Sequence, residues 1–395
     1  MRKFRKYIFV LCCFIHLTAF AQETTLLLPE DSGETVVLNS DREIYGIGEQ
    51  IHYSASYKAP GSLESGSWST VLYVELISWD GTKLAASKVL IENALASGSI
   101  SIPKNIPSGV YYLRAYTLWM RNYSSDFYAY MPLRILNPDS QEVLARPAEG
   151  DASIQTIKRL TAIKSEDIAL SGLKDHYGTG EQAVIEILMP PDLQQGRYSL
   201  GIAKTPGSSS ADYELAGKDK TDSDPGKIEF LPEINGLTLS GIVINSEKRE
   251  PVADARLQLS SYADPFFYAE VITEKDGSFL FALPHSSGNP ELHIAEASDT
   301  LSKHNILLAS HFCMRPVQLP FVPLLIDSSE QSIVREILVN IQLMDRYGLD
   351  TEKAAESKEP KLPFYGKGAS VTYVRDYIEL SDLREFIYEI IPQVS

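Results

Sequence analysis

The hexapeptide Tyr45-Gly46-Ile47-Gly48-Glu49-Gln50 returns as Tyr177-Gly178-Thr179-Gly180-Glu181-Gln182, 132 residues further on. A spacing of that size is one domain, so the chain repeats a folding unit. The glycines permit a tight turn at positive φ, a conformation that other side chains resist. After the first copy Ile51, Tyr53, Ala55 and Tyr57 alternate with polar residues, and after the second Ala183-Val184-Ile185-Glu186-Ile187-Leu188 reads as a buried strand. The repeat predicts a corner between the first strands of a β-sandwich, made twice.

Strand signals continue downstream. Val71-Leu72-Tyr73-Val74-Glu75-Leu76-Ile77 runs into the turn Asp80-Gly81, followed by Leu84 to Leu90, by Gly98 to Pro103, and by Val110 to Thr117 after the turn Pro107-Ser108-Gly109. Short strands at about 8–12-residue intervals indicate an immunoglobulin-like sandwich. The 22 Pro, 24 Gly and 21 Tyr against 6 Met agree, and 395 residues at 44% hydrophobic suffice for two to four cores.

Two stretches carry family resemblances. Asp41-Arg42-Glu43-Ile44-Tyr45 with Gly48-Glu49, together with Gly109-Val110-Tyr111-Tyr112-Leu113-Arg114-Ala115-Tyr116-Thr117-Leu118-Trp119-Met120-Arg121-Asn122, resembles the macroglobulin-type domain of large exported proteins of Bacteroidota-like bacteria. Leu239-Ser240-Gly241-Ile242-Val243, Pro251 to Leu259 and Thr273 to Pro284 are similar to the carboxypeptidase regulatory-like domain, a small transthyretin-like sandwich without peptidase chemistry of its own. There Ala255, Leu257 and Leu259 alternate inward, Asp276-Gly277 turns, and Phe279, Phe281 and Leu283 line the returning strand.

The fold class expected is all-β: tandem immunoglobulin-like or macroglobulin-like β-sandwiches, then a transthyretin-like sandwich and a short helical C-terminal tail. The boundaries are a signal peptide at 1–21, a macroglobulin-like sandwich at 22–140, a second at 152–236, the carboxypeptidase regulatory-like sandwich at 237–310, and a mixed helical tail with a charged linker at 311–395. In the tail, Ser328-Ser329-Glu330-Gln331 opens a helix with Ile333, Ile337, Leu338, Ile341 and Met344 on one face, stopping at Gly348. A charged linker, Asp350 to Lys361, precedes a second capped helix, Ser381 to Ile390. In the larger proteins that the chain resembles, such a tail leads into a region similar to the plug of TonB-dependent receptors, where this chain ends at Ser395. Any function of that part is expected to be absent or supplied by another polypeptide.

Export is written at the front. Arg2, Lys3, Arg5 and Lys6 precede the apolar run Tyr7 to Ile15, and Ala19-Phe20-Ala21 supplies the cleavage residues before Gln22. His16 and Thr18 interrupt the run, which is too short to span a bilayer, and no later stretch of the mature chain qualifies. Neither Cys12 nor Cys13 follows the small residue that lipid attachment requires. Cleavage removes four positive charges, taking the net charge from −16 to −20. So acidic a chain has no general attraction for nucleic acid or anionic lipid. Of three Cys only Cys313 remains, in an apolar run that reads as packing.

Chemistry is sparse. The thioester of alpha-macroglobulins needs Cys-Gly-Glu-Gln, but Ile47 and Thr179 stand where the cysteine belongs. No Gly-x-Ser-x-Gly occurs, and Gly46-x-Gly48 lacks the third glycine of a phosphate loop and enters a strand. His285, His293, His304, His311 and Cys313 lack the spacing of zinc ligands, and Asp219 to Asp224 lacks the glycine and terminal Glu of a calcium loop. No catalytic residue, metal or cofactor is assigned.

The aromatics Tyr111, Tyr112, Tyr116, Trp119, Tyr123, Phe127, Tyr128 and Tyr130 crowd the end of the first sandwich. They form either a contact patch or, with Met120, packing between the first and second domains. The protein-contact candidates are Tyr112, Trp119, Tyr123, Phe127 and Tyr128, with Phe364, Tyr365, Phe386 and Tyr388 in the tail. The expected function is that of a non-catalytic multi-domain binding or scaffold protein of the bacterial cell envelope, periplasmic or associated with the outer membrane. As an accessory subunit it would join an envelope complex with an outer-membrane β-barrel protein, such as a TonB-dependent transporter. The alternative is an enzyme or hydrolase accessory in glycan or peptide processing.

Overall fold

A computed structural model describes residues 33–59, 68–145, 157–160, 169–172, 174, 176–188, 212–215, 228–261, 266–284, 290–297, 303–315 and 317–347. The signal peptide, the 219–224 acidic run, His285, the charged linker, the second tail helix, Phe364, Tyr365, Phe386 and Tyr388 lie outside these residues. Two compact units form, residues 1–238 with 310–341, and residues 239–309 with 342–395.

The first sandwich is made by β1 (Thr35–Ser40), β2 (Ile44–Gly46), β3 (Gln50–Lys58), β4 (Val71–Ile77), β5 (Lys83–Leu90), β6 (Leu95–Ser101), β7 (Gly109–Tyr116) and β8 (Ala129–Leu136). One sheet has the order β1-β3-β6, and the other β2-β8-β7-β4-β5. All neighbours are antiparallel except β2 and β8. The Gly-x-Gly turn is where the chain leaves β2 in one sheet for β3 in the other, so the repeat motif is the predicted corner. Gly48 holds φ +76°, which a side chain would strain.

β3 alternates as its sequence does, burying Ile51, Tyr53, Ala55 and Tyr57. In contrast, β4 and β7 are buried at every position. One face of a half-open sandwich sheet ordinarily meets water. Here the outward row is Tyr73, Glu75 and Ile77 on β4, facing Tyr116, Arg114 and Tyr112 on β7 in register. Residues that come much later in the chain cover it.

Four short strands follow: β9 (Ile157–Leu160), β10 (Ala169–Ser171), β11 (Glu186–Leu188) and β12 (Asp212–Leu215), paired as β9 with β12 and β10 with β11. β11 is exposed throughout, where the sequence predicts a buried strand over 183–188.

The second unit contains β13 (Thr238–Asn245), β14 (Arg256–Ser261), β15 (Phe267–Ile272), β16 (Ser278–Ala282), β17 (His293–Glu296) and β18 (His304–Leu308), with the first residue of β13 counted in the first unit. Its sheets have the orders β16-β13-β18 and β15-β14-β17. Between them Val243, Ala255, Leu257, Leu259, Phe279 and Phe281 form one core, with Leu283 against it. The alternation in the sequence is therefore the alternation in space. The all-β, tandem-sandwich class holds for both units.

A helix, α1 (Gln331–Tyr347), follows. Its cap is Asp327, one residue before the predicted Ser328. The Asp327 carboxylate accepts from Ser329 N (3.0 Å), and Glu330 Oε2 accepts from Asp327 N (2.9 Å). Ile333, Ile337 and Ile341 are buried as their spacing requires.

Candidate functional site

The outward face of the five-stranded sheet gathers a connected set of polar and aromatic groups. At its centre Glu75 and Arg114 are 0% and 1% exposed. Glu75 Oε2 accepts from Arg114 Nε (2.9 Å), Arg114 Nη2 (2.5 Å) and the Tyr116 hydroxyl (2.9 Å). Lys83 Nζ lies 4.0 Å from Oε1. Among the described residues, Oε1 and Arg114 Nη1 have no hydrogen-bond partner. A buried ion pair of this kind fixes geometry more than it adds stability, because desolvation offsets much of the attraction.

A strap, residues 310–327, lies over this pair. Cys313 N donates to the Tyr116 hydroxyl (2.6 Å), Arg114 Nη2 donates to Cys313 O (3.4 Å), and the Tyr128 hydroxyl donates to the Cys313 thiol (3.7 Å). Further along, the Tyr112 hydroxyl donates to Pro320 O (2.5 Å) and Leu319 N to Trp79 O (2.7 Å). Arg134 closes the far end by donating to both Glu330 oxygens (2.7 and 2.6 Å) and to Leu325 O (3.0 Å). Cys313, read from sequence as a packing residue, is buried here.

Beside the strap lies a second set. The Tyr73 hydroxyl donates to Glu233 Oε2 (2.7 Å), Lys88 Nζ sits 4.8 Å from the Tyr73 ring centre, and Arg121 donates to His311 O (2.6 Å) while stacking on Phe230. Burial raises the Glu233 carboxyl above its ordinary value, against the Tyr73 hydrogen bond and the charges of Lys88 and Arg121. Burial lowers Lys88, and burial with the neighbouring Lys88 and Arg121 charges lowers His311. Asn122 ties in the same segment: its Oδ1 accepts from Glu229 N and Phe230 N (2.8 and 2.9 Å), and its Nδ2 donates to Phe230 O (2.7 Å).

The contact candidates fall into this packing. Tyr112, Trp119, Tyr123 and Tyr128 are buried, and Phe127 is half-buried. Trp119 meets Trp68 edge to face, with ring centres 5.5 Å apart, and Tyr128 stacks on Tyr116 at 4.5 Å. The patch is thus filled by the chain itself, and the partners of Tyr112 and Tyr128 come from the strap. Sequence reasoning passed over Glu75 and Arg114. Their signal was a lone acid and a lone base, each in the middle of an apolar strand.

The repeat motif proves to be a built structure in both copies. Gly46 N donates to Glu49 Oε2 (2.5 Å), and Gly178 N to Glu181 Oε2 (2.8 Å). Three residues before each tyrosine is a base whose backbone N–H donates to the tyrosine hydroxyl, Arg42 to Tyr45 (3.1 Å) and Lys174 to Tyr177 (2.9 Å). The side chains of Arg42 and Lys174 pair with Glu49 and Glu181 and lie over the tyrosine rings. The base at that position extends the repeat beyond the hexapeptide.

The histidines scatter. His304 pairs with Glu296 (3.0 Å), His293 lies 3.8 Å from Glu291, and His311, in the strap, accepts at its carbonyl from Arg121. Among the described residues no three His, Cys, Asp or Glu converge as metal ligands, and no helix is long and apolar enough to cross a membrane.

No family model matches the chain, and no curated protein matches it in sequence. Among solved structures it is similar to Salmonella alpha-2-macroglobulin reacted with methylamine, at 14% identity and a TM-score of 0.21, over 67% of this chain and 14% of that one. It is also similar to dimeric latent PorU from Porphyromonas gingivalis, at 10% identity and 0.21, over 70% and 34%. A tetra-tandem repeat from the extending region of a large adhesion protein aligns at 10% identity and 0.19, over 67% and 74%. At such scores the fold rests on the sheets described above. The chain spans about a seventh of the length of the Salmonella protein.

Proposed function

We propose that the chain is a non-catalytic, multi-domain binding scaffold of the bacterial cell envelope, acting as an accessory subunit of an outer-membrane complex. The observation that carries the reading is how the polar groups packed against the outward face of the first unit are used. Glu75, Arg114 and Tyr116 bond to one another and to Cys313 of the strap, and Glu233 and Tyr73 bond to each other beside it. Groups consumed in this way hold segments together, whereas a catalytic site directs such groups at a space for substrate. The macroglobulin-type and carboxypeptidase regulatory-like resemblances and the export signal support an envelope location. The tail from residue 362 to 395 docks on the partner, an outer-membrane β-barrel protein.

The test is affinity capture of the tagged chain from detergent-solubilised outer membranes, read by mass spectrometry, beside a version ending at Asp350. Outer-membrane β-barrel proteins enriched with the full chain and lost with the shorter one support the reading. Equal recovery with both sinks the tail's role, and no enrichment over an untagged control sinks the complex.

A further inference from the structure

Of the asparagines in the chain only Asn235 is followed by glycine, in Glu233-Ile234-Asn235-Gly236. Elsewhere asparagines at turns are put to use. Asn122 holds Phe230 through both ends of its amide, Asn137 Nδ2 donates to Ile106 O (2.7 Å) while its Oδ1 accepts from Asp139 N (2.8 Å), and Asn245 Oδ1 accepts from Glu247 N and Lys248 N (both 3.0 Å). The carboxylates of two Asp-Gly turns are held too, Asp80 by Thr82 N and Asp276 by Ser278 N (both 3.0 Å). The Asn235 side chain is exposed and makes no hydrogen bond among the described residues.

What is held is the backbone on either side of it. Thr70 Oγ1 donates to Glu233 O (2.6 Å) and accepts from Gly236 N (3.0 Å), and Thr70 N donates to the same carbonyl (2.7 Å). One hydroxyl thus stands between the carbonyl and the amide of a four-residue turn that ordinarily bond to each other, and Gly236 takes φ +77° there. The free carboxamide of Asn235 is therefore followed by a backbone nitrogen that no Cβ shields. That nitrogen is engaged by a single hydrogen bond, to Thr70.

We propose that Asn235 is a site of spontaneous deamidation whose rate Thr70 sets. Gly236 N gives up its proton to solvent base and attacks Asn235 Cγ. The N–Cγ bond forms, the Cγ–Nδ2 bond breaks, and Nδ2 leaves as ammonia with a proton from water, which closes a succinimide ring. Water then adds to one imide carbonyl. Breaking the new N–Cγ bond gives aspartate, and breaking the original peptide bond gives isoaspartate, whose main chain carries an extra carbon. The net change consumes water and releases ammonia. The attack is open only while Gly236 N is off the Thr70 hydroxyl, so the rate follows the population of that local opening. In the isoaspartyl product the added carbon lies between the two ends that Thr70 bridges, and the bridge is lost. The reaction is independent of which envelope protein the chain serves.

The experiment is ageing of residues 22–395 at mildly alkaline pH, followed by peptide mapping that separates asparagine, aspartate and isoaspartate at each position. The wild type is expected to convert at Asn235 ahead of every other asparagine, with isoaspartate among the products. Thr70→Val removes the hydroxyl and is expected to convert about five-fold faster, the rise in opened population on losing one hydrogen bond of ordinary strength. Thr70→Ser keeps the hydroxyl and is expected to keep the wild-type rate. The other asparagines serve as the internal control, since a variant that merely loosens the fold speeds them all together. Any of four results would overturn the proposal: no conversion at Asn235 in the wild type, another asparagine converting as fast, Thr70→Val converting at the wild-type rate or speeding every asparagine alike, or Thr70→Ser converting as fast as Thr70→Val.

Discussion

Glu75→Gln tests whether the buried pair holds the outer face of the first sandwich. The substitution keeps the shape of the side chain and removes its charge, leaving the Arg114 guanidinium at 1% exposure without a counter-ion. Breaking one side of a buried pair costs about 3–5 kcal/mol, since the remaining charge stays desolvated. The lower end applies here, because the amide oxygen still accepts one hydrogen bond and Lys83, 4.0 Å away with its side chain 36% exposed, turns to water. At about 1.4 kcal/mol per factor of ten, ~3 kcal/mol multiplies the opened population roughly 150-fold.

Two probes read that opening. In residues 22–395 Cys313 is the single cysteine, and it is buried where the strap meets the sheet. Where reclosing outpaces the reagent, its labelling rate follows the opened population, so Glu75→Gln is expected to label about 150-fold faster. Trp68, Trp79 and Trp119, the only tryptophans, all belong to the first unit, so their fluorescence in urea gives the equilibrium cost directly. The double variant Glu75→Leu with Arg114→Met removes both charges together and is expected to recover most of the loss. A cost for Glu75→Gln below about 1 kcal/mol, or a double variant no better than the single, would refute the reasoning.

Three further outcomes are expected. Burial holds the Glu34 carboxyl above its ordinary 4.5, against hydrogen bonds from Thr117 and Tyr57, so its contribution is full below 4.5 and is lost as pH rises through the folded value. The wild-type urea midpoint therefore falls more steeply on raising pH from 4.5 than that of Glu34→Gln. The opposite drift from Glu330, lowered by Arg134, is common to both proteins and cancels in the comparison. Gly46→Ala, whose Cβ would run into Ile341 Cδ1, forces that side chain aside and costs about 1–3 kcal/mol in the tryptophan transition, whereas Gly178→Ala, whose Cβ would meet only Glu181 of its own turn, changes it by less than about 0.5 kcal/mol. Arg134→Met removes two charge-assisted bonds to Glu330 and costs about 1–2 kcal/mol after solvent screening. Hydrogen exchange quickening over the first turns of α1, with no change in β13 to β18, checks it.

What the sequence showed and what it hid divide by range. Alternation in β3, the glycine corner, the core of the second unit and the apolar face of α1 are local signals, and each holds in three dimensions. The strap was hidden because nothing in 310–327 has strand or helix period. Its order comes from side chains of β4, β7 and the Trp119–Asn122 turn, a long way upstream. For the same reason nothing in the sequence joins 310–341 to the first sandwich, with which the structure gathers them into one unit. The aromatics around Tyr112 and Tyr128 look surplus to a sandwich until the partners of their hydroxyls, Pro320 and Cys313, are known.

The strap also accounts for the burial of β4 and β7 at every position in an antiparallel sheet. A sheet with one wet face selects polar residues at every second position. Here the outward positions hold Tyr73, Glu75, Ile77, Tyr112, Arg114 and Tyr116, all buried. Glu75 and Arg114 are the only ionic residues of the six, and they face each other. Had the strap evolved as a loose cover, unpaired charges reaching water at its margins would serve as well. A matched pair at the centre, bonded through Tyr116 to Cys313, instead admits the strap in one register only, because any slip separates Cys313 N from the Tyr116 hydroxyl and Pro320 O from the Tyr112 hydroxyl together.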